Sequence, residues 1–177
     1  MKKLLFLFLL IPMSMFAQSE ELMDSVSYYF AILLNNERDS INQANSKNPE
    51  FISLNRIIVE TDRSKFIDPD KHIEQCFEDL SKKGVCDAHS TTNKENSFFD
   101  FNVFDKTYYY SNPKVVAEEF FKGWKNSPRH YDFMVNSGGW EQYPYKTFII
   151  RYKMVYNQES DNMIKFRLVA TYTGFFE

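Results

Sequence analysis

The C-terminal part of the chain alternates between apolar and polar side chains with a period of two. The alternation runs over residues 147–156 and returns over residues 164–172, beyond a polar segment at Gln158 to Asn162. A period of two predicts strands with one buried face, and two such strands around a short polar segment predict an antiparallel hairpin. Because that face has to be covered, the rest of the chain must supply a packing layer.

Upstream of the hairpin, apolar residues recur at helical spacing. Helix starts are predicted at Ser19, at Asp68 with Pro69 in the first turn, at Asn112-Pro113 and at Ser127-Pro128. The buried stripes are predicted to contain Leu22, Val26, Phe30, Leu33 and Leu34 in the first helix, Ile73, Cys76 or Phe77, and Leu80 in the second, Val116, Phe120 and Trp124 in the third, and Phe133 and Met134 in the last. Helices followed by a short meander predict an α+β domain, with helices packed on a small antiparallel sheet that ends in the C-terminal hairpin.

Three segments have less regular patterns. The polar stretch Asp39–Asn48 is interpreted as a loop. In the stretch Phe51–Thr61 helical spacing competes with the strand-forming triplet Ile57-Ile58-Val59, and we assign it to a helix. The aromatic segment from Phe98 to Tyr110 is interrupted by polar residues and is interpreted as a loop that covers a cleft, with an extra strand as the alternative.

Residues 1–17 have the pattern of a secretory signal peptide. Lys2 and Lys3 precede the apolar run Leu4–Ile11, and Ala17 provides a small residue at the cleavage point. The run is too short for a membrane span, which needs about 20 apolar residues. We therefore expect an exported protein, periplasmic or extracellular, with one domain over residues 18–177 and no transmembrane segment in the mature chain.

Composition argues against two classes of function. Lys+Arg 21 against Asp+Glu 24 gives a net charge of -3, so the overall basic character of a nucleic-acid-binding domain is absent. The 5 glycines form no nucleotide-binding glycine motif. We expect no nucleic-acid partner and no phosphate-binding glycine loop.

Two cysteines, Cys76 and Cys86, flank the end of the second predicted helix. Export permits a disulfide, but bridging requires the chain to double back after Gly84. Two alternatives stay open: one disulfide that closes a short loop, or two buried free thiols.

Four short segments carry a family resemblance. The run Trp124-Lys125-Asn126-Ser127-Pro128-Arg129-His130 resembles the W-x-N-S-P-x-H segment of bacterial members of the CAP superfamily, which contains cysteine-rich secretory proteins, antigen five and pathogenesis-related proteins. Asn36-Glu37-Arg38 resembles the family's N-E-R segment, His89-Ser90 its first metal-facing histidine, and Lys94-Glu95-Asn96 its Gly-Glu-Asn motif, with Lys94 in place of Gly. The resemblance implies an α-β-α sandwich over most of the mature chain.

The resemblance also implies a cleft and its residues. The implied ligands of a divalent metal are His89, Glu95 and His130, and the implied ligand-binding residues are Ser127, Trp124 and Tyr109. Two imidazoles and a carboxylate suit zinc with a water in the fourth position. Ser127 stands where some relatives carry a glutamate, so a fourth protein ligand would have to be Glu118 or Glu119.

Each of these residues also has a purely structural interpretation. The histidines can be a solvated loop residue and a hydrogen-bonding residue at a helix start, and Glu95 can accept backbone hydrogen bonds from its own turn. Trp124 is in register with Val116 and Phe120, which favours the core over a ligand platform.

Three functions follow from these alternatives. We favour an exported binding module without an established reaction, whose cleft holds a divalent metal or a small apolar ligand, or contacts an extracellular protein. The second is a zinc-dependent hydrolase that uses a water held between His89 and His130, with Glu95 as ligand or base. The third is a structural or interaction protein of the cell envelope with a vestigial cleft. No H-E-x-x-H or G-x-S-x-G motif supports catalysis, and the oligomeric state stays open.

Overall fold

The computed structural model describes residues 20–83, 91–93, 97–106, 112–141, 145–160 and 163–175. This part of the chain is a mixture of helices and strands, which confirms the α+β class. The elements in chain order are α1 (Glu20–Ala44), β1 (Ile58–Val59), a 3-10 helix (Arg63–Phe66), α2 (Ile67–Lys83), β2 (Thr91–Asn93), β3 (Ser97–Lys106), α3 (Pro113–Lys125), α4 (Pro128–Met134), β4 (Thr147–Ser160) and β5 (Met163–Phe175).

The strands form one sheet in the order β1-β4-β5-β3-β2. The pair β4–β5 is antiparallel and runs from Thr147 opposite Phe175 to Ser160 opposite Met163, which confirms the predicted hairpin. The strands extend further than expected, because β4 continues through the polar segment as far as Ser160. β1 pairs with β4 in parallel, and the other pairs are antiparallel.

The two faces of the sheet contact different helices. Five residues at even positions of β4 and β5 pack with buried residues of α1, α3 and α4 in the main core. The members of this core from the sheet are Phe148, Ile150, Tyr152, Ala170 and Tyr172. On the other face, Ile149 and Phe175 pack with Phe66 of the 3-10 helix, and Arg151 binds Asp70 of α2. The described part therefore has helices on both sides of the sheet.

On this second face, Arg151 of β4 binds residues of both α1 and α2. Its guanidinium hydrogen-bonds both carboxylate oxygens of Glu20, the first residue of α1, at 2.7 and 2.9 Å, and both oxygens of Asp70 at 2.8 and 2.9 Å. Two carboxylates compensate for the burial of the guanidinium, which is the condition for burying a charge without a large penalty.

The prediction of a helix over Phe51–Thr61 is wrong. Residues 51–57 are in neither a helix nor a strand, and Ile58–Val59 form β1. Their backbone groups bond to side chains of α1 instead of to each other, chiefly through Asn35 and Asn42. The expected loop over Asp39–Asn48 is wrong in its first part, because α1 continues to Ala44 and carries Asn42 to this contact.

The second helix is confirmed, but its start differs from the prediction. α2 begins at Ile67, directly after the 3-10 helix, so Asp68 lies inside the helix and is not its cap. Asp62 caps the preceding 3-10 helix, where its side chain accepts a hydrogen bond from the Ser64 N–H at 3.0 Å. Ile73 and Cys76 are buried as expected.

Cys76 is disulfide-bonded, which decides between the two alternatives for the cysteines. The sequence contains one other cysteine, Cys86, which lies outside the described residues.

Both helices that precede the hairpin are confirmed. Asn112 caps α3 by accepting a hydrogen bond from the Lys114 N–H at 3.0 Å, and Pro113 occupies the first turn. α4 follows from Ser127 and ends before Asn136, which has a positive φ of 51°. In the first helix, Val26, Phe30 and Leu34 are buried as predicted.

The aromatic segment is a strand over much of its length, which confirms the alternative of an extra strand and excludes the covering loop there. β3 pairs with β5 from Ser97 opposite Phe175 to Lys106 opposite Phe166. Pairing along the whole of β3 satisfies backbone groups that a loop would leave to water. Tyr108, Tyr109 and Tyr110 lie outside the described residues.

The predicted signal peptide, residues 1–17, and the predicted cap Ser19 also lie outside the described residues. None of the helices in the described ranges has a stretch long and apolar enough to cross a bilayer.

Candidate functional site

The described residues include half of the candidate site. His130, Ser127 and Trp124 are described, whereas His89, Glu95 and Tyr109 lie outside the described residues. The separation of the two imidazoles, on which the metal hypothesis depends, therefore stays a prediction.

Ser127 lies at the junction between α3 and α4. Ser127 is the N-cap residue of α4 and has extended backbone angles (φ -110°, ψ 109°), but its side chain makes no capping hydrogen bond. The usual role of a serine at this position is to accept a bond from the first turn of the helix. Ser127 is half-buried and does not fill this role.

Trp124 is completely buried, which supports the core interpretation that the sequence favoured. Its ring packs edge-on against Phe30 and Phe120 at centroid distances of 5.7 and 5.8 Å, and lies 6.3 Å from the ring of Tyr172. With no exposed surface, the indole has no face to offer a ligand in this conformation.

Glu37 joins two of the segments that carry the CAP resemblance. One carboxylate oxygen accepts a hydrogen bond from the Tyr131 hydroxyl at 2.5 Å, and the other pairs with the Lys125 ammonium at 2.6 Å. These contacts connect α1 with the last residue of α3 and with α4. The segment Asn36–Arg38 thus lies beside the run Trp124–His130.

The contacts of Glu37 keep its carboxylate ionised and Tyr131 protonated. Burial alone would raise the pKa of Glu37, but the hydrogen bonds from Lys125 and Tyr131 outweigh it and lower the pKa below its usual value. Burial and the bond to this carboxylate raise the pKa of the Tyr131 phenol. Neither group therefore titrates near neutral pH.

His130 is the third residue of α4, next to Tyr131, and is half-buried. Within the described ranges, no three histidine, cysteine or acidic residues are grouped so that they can hold a metal. Glu118, one of the two suggested fourth ligands, is exposed and pairs with Lys114 at 4.0 Å. The described residues alone, Glu119 included, do not form a zinc site.

Arg38 is a buried residue whose role sequence reasoning missed. It is 1% exposed and donates hydrogen bonds to the carbonyls of Asn55 (2.9 Å) and Met134 (2.7 Å) and to the Asn136 side chain (2.9 Å). Its guanidinium carbon lies 4.8 Å from the ring centroid of Tyr145. The sequence signal that could have indicated this burial is an arginine in the last third of a helix with an apolar residue four positions before it.

Tyr145 extends this buried polar group toward the sheet. Its hydroxyl donates to the Met134 carbonyl at 2.8 Å and contacts the Tyr172 hydroxyl of β5. Burial raises the pKa of Tyr145 in spite of the nearby Arg38 guanidinium. Through these contacts the arginine and the two tyrosines connect the end of α4 to the sheet.

A surface groove of about 450 Å³ lies along the first turns of α1. It is lined by Glu21, Asp24, Ser25, Tyr28, Tyr29 and Arg63. Tyr28 is 60% exposed, and Arg63 is held by ion pairs to Glu20 and Asp24. The groove lies at the opposite end of α1 from Glu37, and no sequence motif pointed to it.

Comparison with known proteins adds no further constraint. No family model, no curated protein and no solved structure matches the chain. The CAP resemblance stays a prediction.

Proposed function

We propose that the protein is an exported, CAP-like binding module without a reaction of its own. Its ligand site lies where the segment Asn36–Arg38 of α1 meets the α3–α4 junction, and the ligand is a small apolar molecule or a divalent metal. The observation that supports this proposal is the joint binding of Glu37 by Tyr131 and Lys125, which places two segments of the resemblance side by side.

The two groups that join the segments, Glu37 and Tyr131, are unsuited to proton transfer near neutral pH. A general acid or base works best with a pKa near the operating pH. The pKa of Glu37 is lowered and that of Tyr131 is raised, so both keep one protonation state around neutrality. Ser127 offers a hydroxyl directly before α4 and His130 an imidazole within it, and these groups can orient a ligand.

The residues expected to complete the site are His89, Glu95 and Tyr109. If a metal is bound, His130 would be one of its ligands, with His89 and Glu95 as the others, and the metal would contribute Lewis acidity. The binding proposal does not require the metal, because an apolar ligand can use the same cleft.

The experiment compares the wild-type mature chain with His130→Ala, and uses Arg129→Ala as the matched control. Arg129 is the exposed neighbour of His130 on α4. Two titrations are made by calorimetry and fluorescence, one with zinc and one with a fluorescent long-chain fatty acid. We expect the wild type to bind at least one probe, His130→Ala to bind it about tenfold more weakly or worse, and Arg129→Ala to bind as the wild type does.

Two results would contradict the proposal. One is a wild type that binds neither probe, and the other is an affinity that His130→Ala leaves unchanged. Ester or peptide hydrolysis that a chelator abolishes would favour the hydrolase over the binding module.

A further inference from the structure

Two aromatic rings line the groove beside the first turns of α1. The rings of Tyr28 and Tyr29 have centroids 5.5 Å apart and planes at 73° to each other. Tyr28 is 60% exposed, which is high for a large side chain with an apolar ring. The groove volume of about 450 Å³ lies at the lower end of the range for small-molecule sites, about 300–1,000 Å³. Two steeply inclined tyrosine rings thus line a groove whose size suits a small ligand.

The other side chains of the groove carry a charge or a hydroxyl. They are those of Glu21, Asp24, Ser25 and Arg63. The positive charge of Arg63 is already compensated, because one terminal nitrogen pairs with Glu20 and the other with Asp24 at 2.7 Å. An anionic ligand would have to compete with two carboxylates for this guanidinium.

Negative charge exceeds positive charge in the groove and the ion pairs beside it. Glu20, Glu21 and Asp24 bring three carboxylates to the start of α1, and Arg151 binds a fourth on α2. Arg63 and Arg151 provide two guanidinium groups against these four carboxylates, which leaves two negative charges in excess. The N-terminus of the helix adds only about half a positive charge. The electrostatics therefore favour a cationic ligand.

Helical spacing brings the carboxylates and the exposed ring to one face of α1. Asp24 precedes Tyr28 by four positions, and Glu21, Ser25 and Tyr28 follow one another at steps of four and three. Residues three or four positions apart are neighbours on a helix surface. A cation on the Tyr28 ring therefore lies beside negative charge from the same helix.

The rings indicate which kind of cation the groove suits. The face of a tyrosine ring attracts a cation, and aromatic rings of this kind recognise quaternary ammonium groups in proteins. A quaternary ammonium has no N–H, so it loses no hydrogen bond to water when it contacts a ring. A primary ammonium donates three hydrogen bonds, and each one that finds no acceptor in the groove costs binding free energy.

We propose that this groove binds a quaternary ammonium group of the choline type, which packs on the ring of Tyr28 while Glu21 and Asp24 supply the negative charge. The groove lies at the opposite end of α1 from Glu37, so it is a second site and does not depend on the ligand proposed above. Soluble choline compounds and the headgroup of phosphatidylcholine present the same trimethylammonium group.

Titration of the mature chain with choline chloride, followed by NMR at constant ionic strength, tests the proposal. We expect saturable binding with a dissociation constant of about 1 mM or lower. The control ligand is the uncharged isostere of choline, in which a carbon replaces the nitrogen. We expect it to bind about tenfold more weakly or worse, because it has the same shape but no charge for the ring and the carboxylates to attract.

Substitutions on α1 test where the cation binds. Tyr28→Ala should raise the dissociation constant about two- to fivefold, as expected for an exposed cation–π contact, whereas Tyr28→Phe retains the ring and should bind as the wild type does. Glu21→Gln should raise it about twofold or more. The matched control Ile32→Ala, at an exposed position one turn beyond Tyr28 and outside the groove lining, should leave it unchanged.

Sedimentation with vesicles distinguishes the two sources of the ligand. Capture of the wild type by phosphatidylcholine vesicles that free choline reverses would support the proposal with a lipid headgroup as the ligand. Choline binding without capture would support it with a soluble compound as the ligand.

Three results would overturn the proposal: no saturable binding of choline, equal affinity for the uncharged isostere, or an affinity that neither Tyr28→Ala nor Glu21→Gln changes. Glu21→Gln alters an exposed side chain and nearly conserves its size, so it remains informative if Tyr28→Ala fails to fold.

Discussion

Asn35 of α1 and Ile57 exchange two hydrogen bonds. The Asn35 amide donates to the Ile57 carbonyl at 2.8 Å, and the Ile57 N–H donates to the Asn35 side-chain oxygen at 2.8 Å. Asn42 repeats the arrangement with Leu54 at 2.9 and 2.7 Å. Two asparagines on one face of a helix thus satisfy backbone groups of a segment that is in neither a helix nor a strand and that leads into β1.

Replacing Asn35 tests how much this contact contributes. Asn35→Ala leaves a buried N–H and a buried carbonyl of Ile57 without partners. We expect the free energy of unfolding to fall by about 2–4 kcal/mol, because each unsatisfied buried group costs about 1–3 kcal/mol. Urea denaturation measures the change. Asn36→Ala, at an exposed position on the same helix, should change it by about 0.5 kcal/mol or less, and equal losses in the two variants would contradict the prediction.

Arg38→Lys tests the buried polar group around Tyr145. A lysine keeps the charge but cannot reach the three acceptors that the arginine binds on Asn55, Met134 and Asn136. We expect a loss of about 2–4 kcal/mol in the free energy of unfolding, since bonds from charged donors contribute about 1.5–3 kcal/mol each. The control Arg129→Lys, at an exposed position, should leave the denaturation midpoint unchanged. A midpoint for Arg38→Lys within error of the wild type would show that the arginine is not required.

The pH dependence of stability tests the environment of Glu37. Its pKa is lower in the folded chain than in the unfolded one, where it is about 4.3. The ionised carboxylate therefore stabilises the fold above about pH 4.3, and this contribution is lost as the pH falls through the lower folded-state value. The difference in unfolding free energy between the wild type and Glu37→Gln should be constant above about pH 5.5 and shrink in acid. Parallel curves throughout the titration would count against the prediction.

Fluorescence tests the burial of Trp124 separately from Trp140. In Trp140→Phe the remaining tryptophan is the fully buried Trp124, whose emission should lie at short wavelength and resist quenching by iodide. In Trp124→Phe the remaining Trp140 is half-buried, and iodide should quench it more strongly. Strong quenching of Trp124 would contradict its burial and support the interpretation of this residue as a ligand platform.

Reduction tests the contribution of the bond at Cys76. Closing a short loop removes conformational entropy from the unfolded chain, so we expect reduction to lower the free energy of unfolding by about 2–3 kcal/mol. The double variant Cys76→Ser/Cys86→Ser should show a similar loss, and its stability should not respond to dithiothreitol. A wild type that is equally stable in both redox states would contradict this expectation.

Local patterns predicted those elements whose signals lie within a few residues of each other. The alternation from Thr147 onward predicted the β4–β5 hairpin, and Asn112-Pro113 and Ser127-Pro128 predicted the starts of α3 and α4. In each case the cap, the proline or the period acts through the element's own backbone. The segment 51–57 was predicted wrongly because its hydrogen-bond partners belong to α1. The β3 strand was only the alternative to a loop because its partner β5 follows much later in the chain.

For the candidate site, too, some features could be predicted from the sequence and others could not. The sequence alone determined which residue types are present at Ser127 and His130, that a helix begins between them, and that Trp124 shares a face with Val116 and Phe120. Only the tertiary structure decided that Glu37 reaches Tyr131 and Lys125, and that Arg38 is buried under Tyr145. A periodic pattern reports which face of an element is buried, but the partner of a single polar side chain depends on how distant elements pack, and that information is spread over the whole chain.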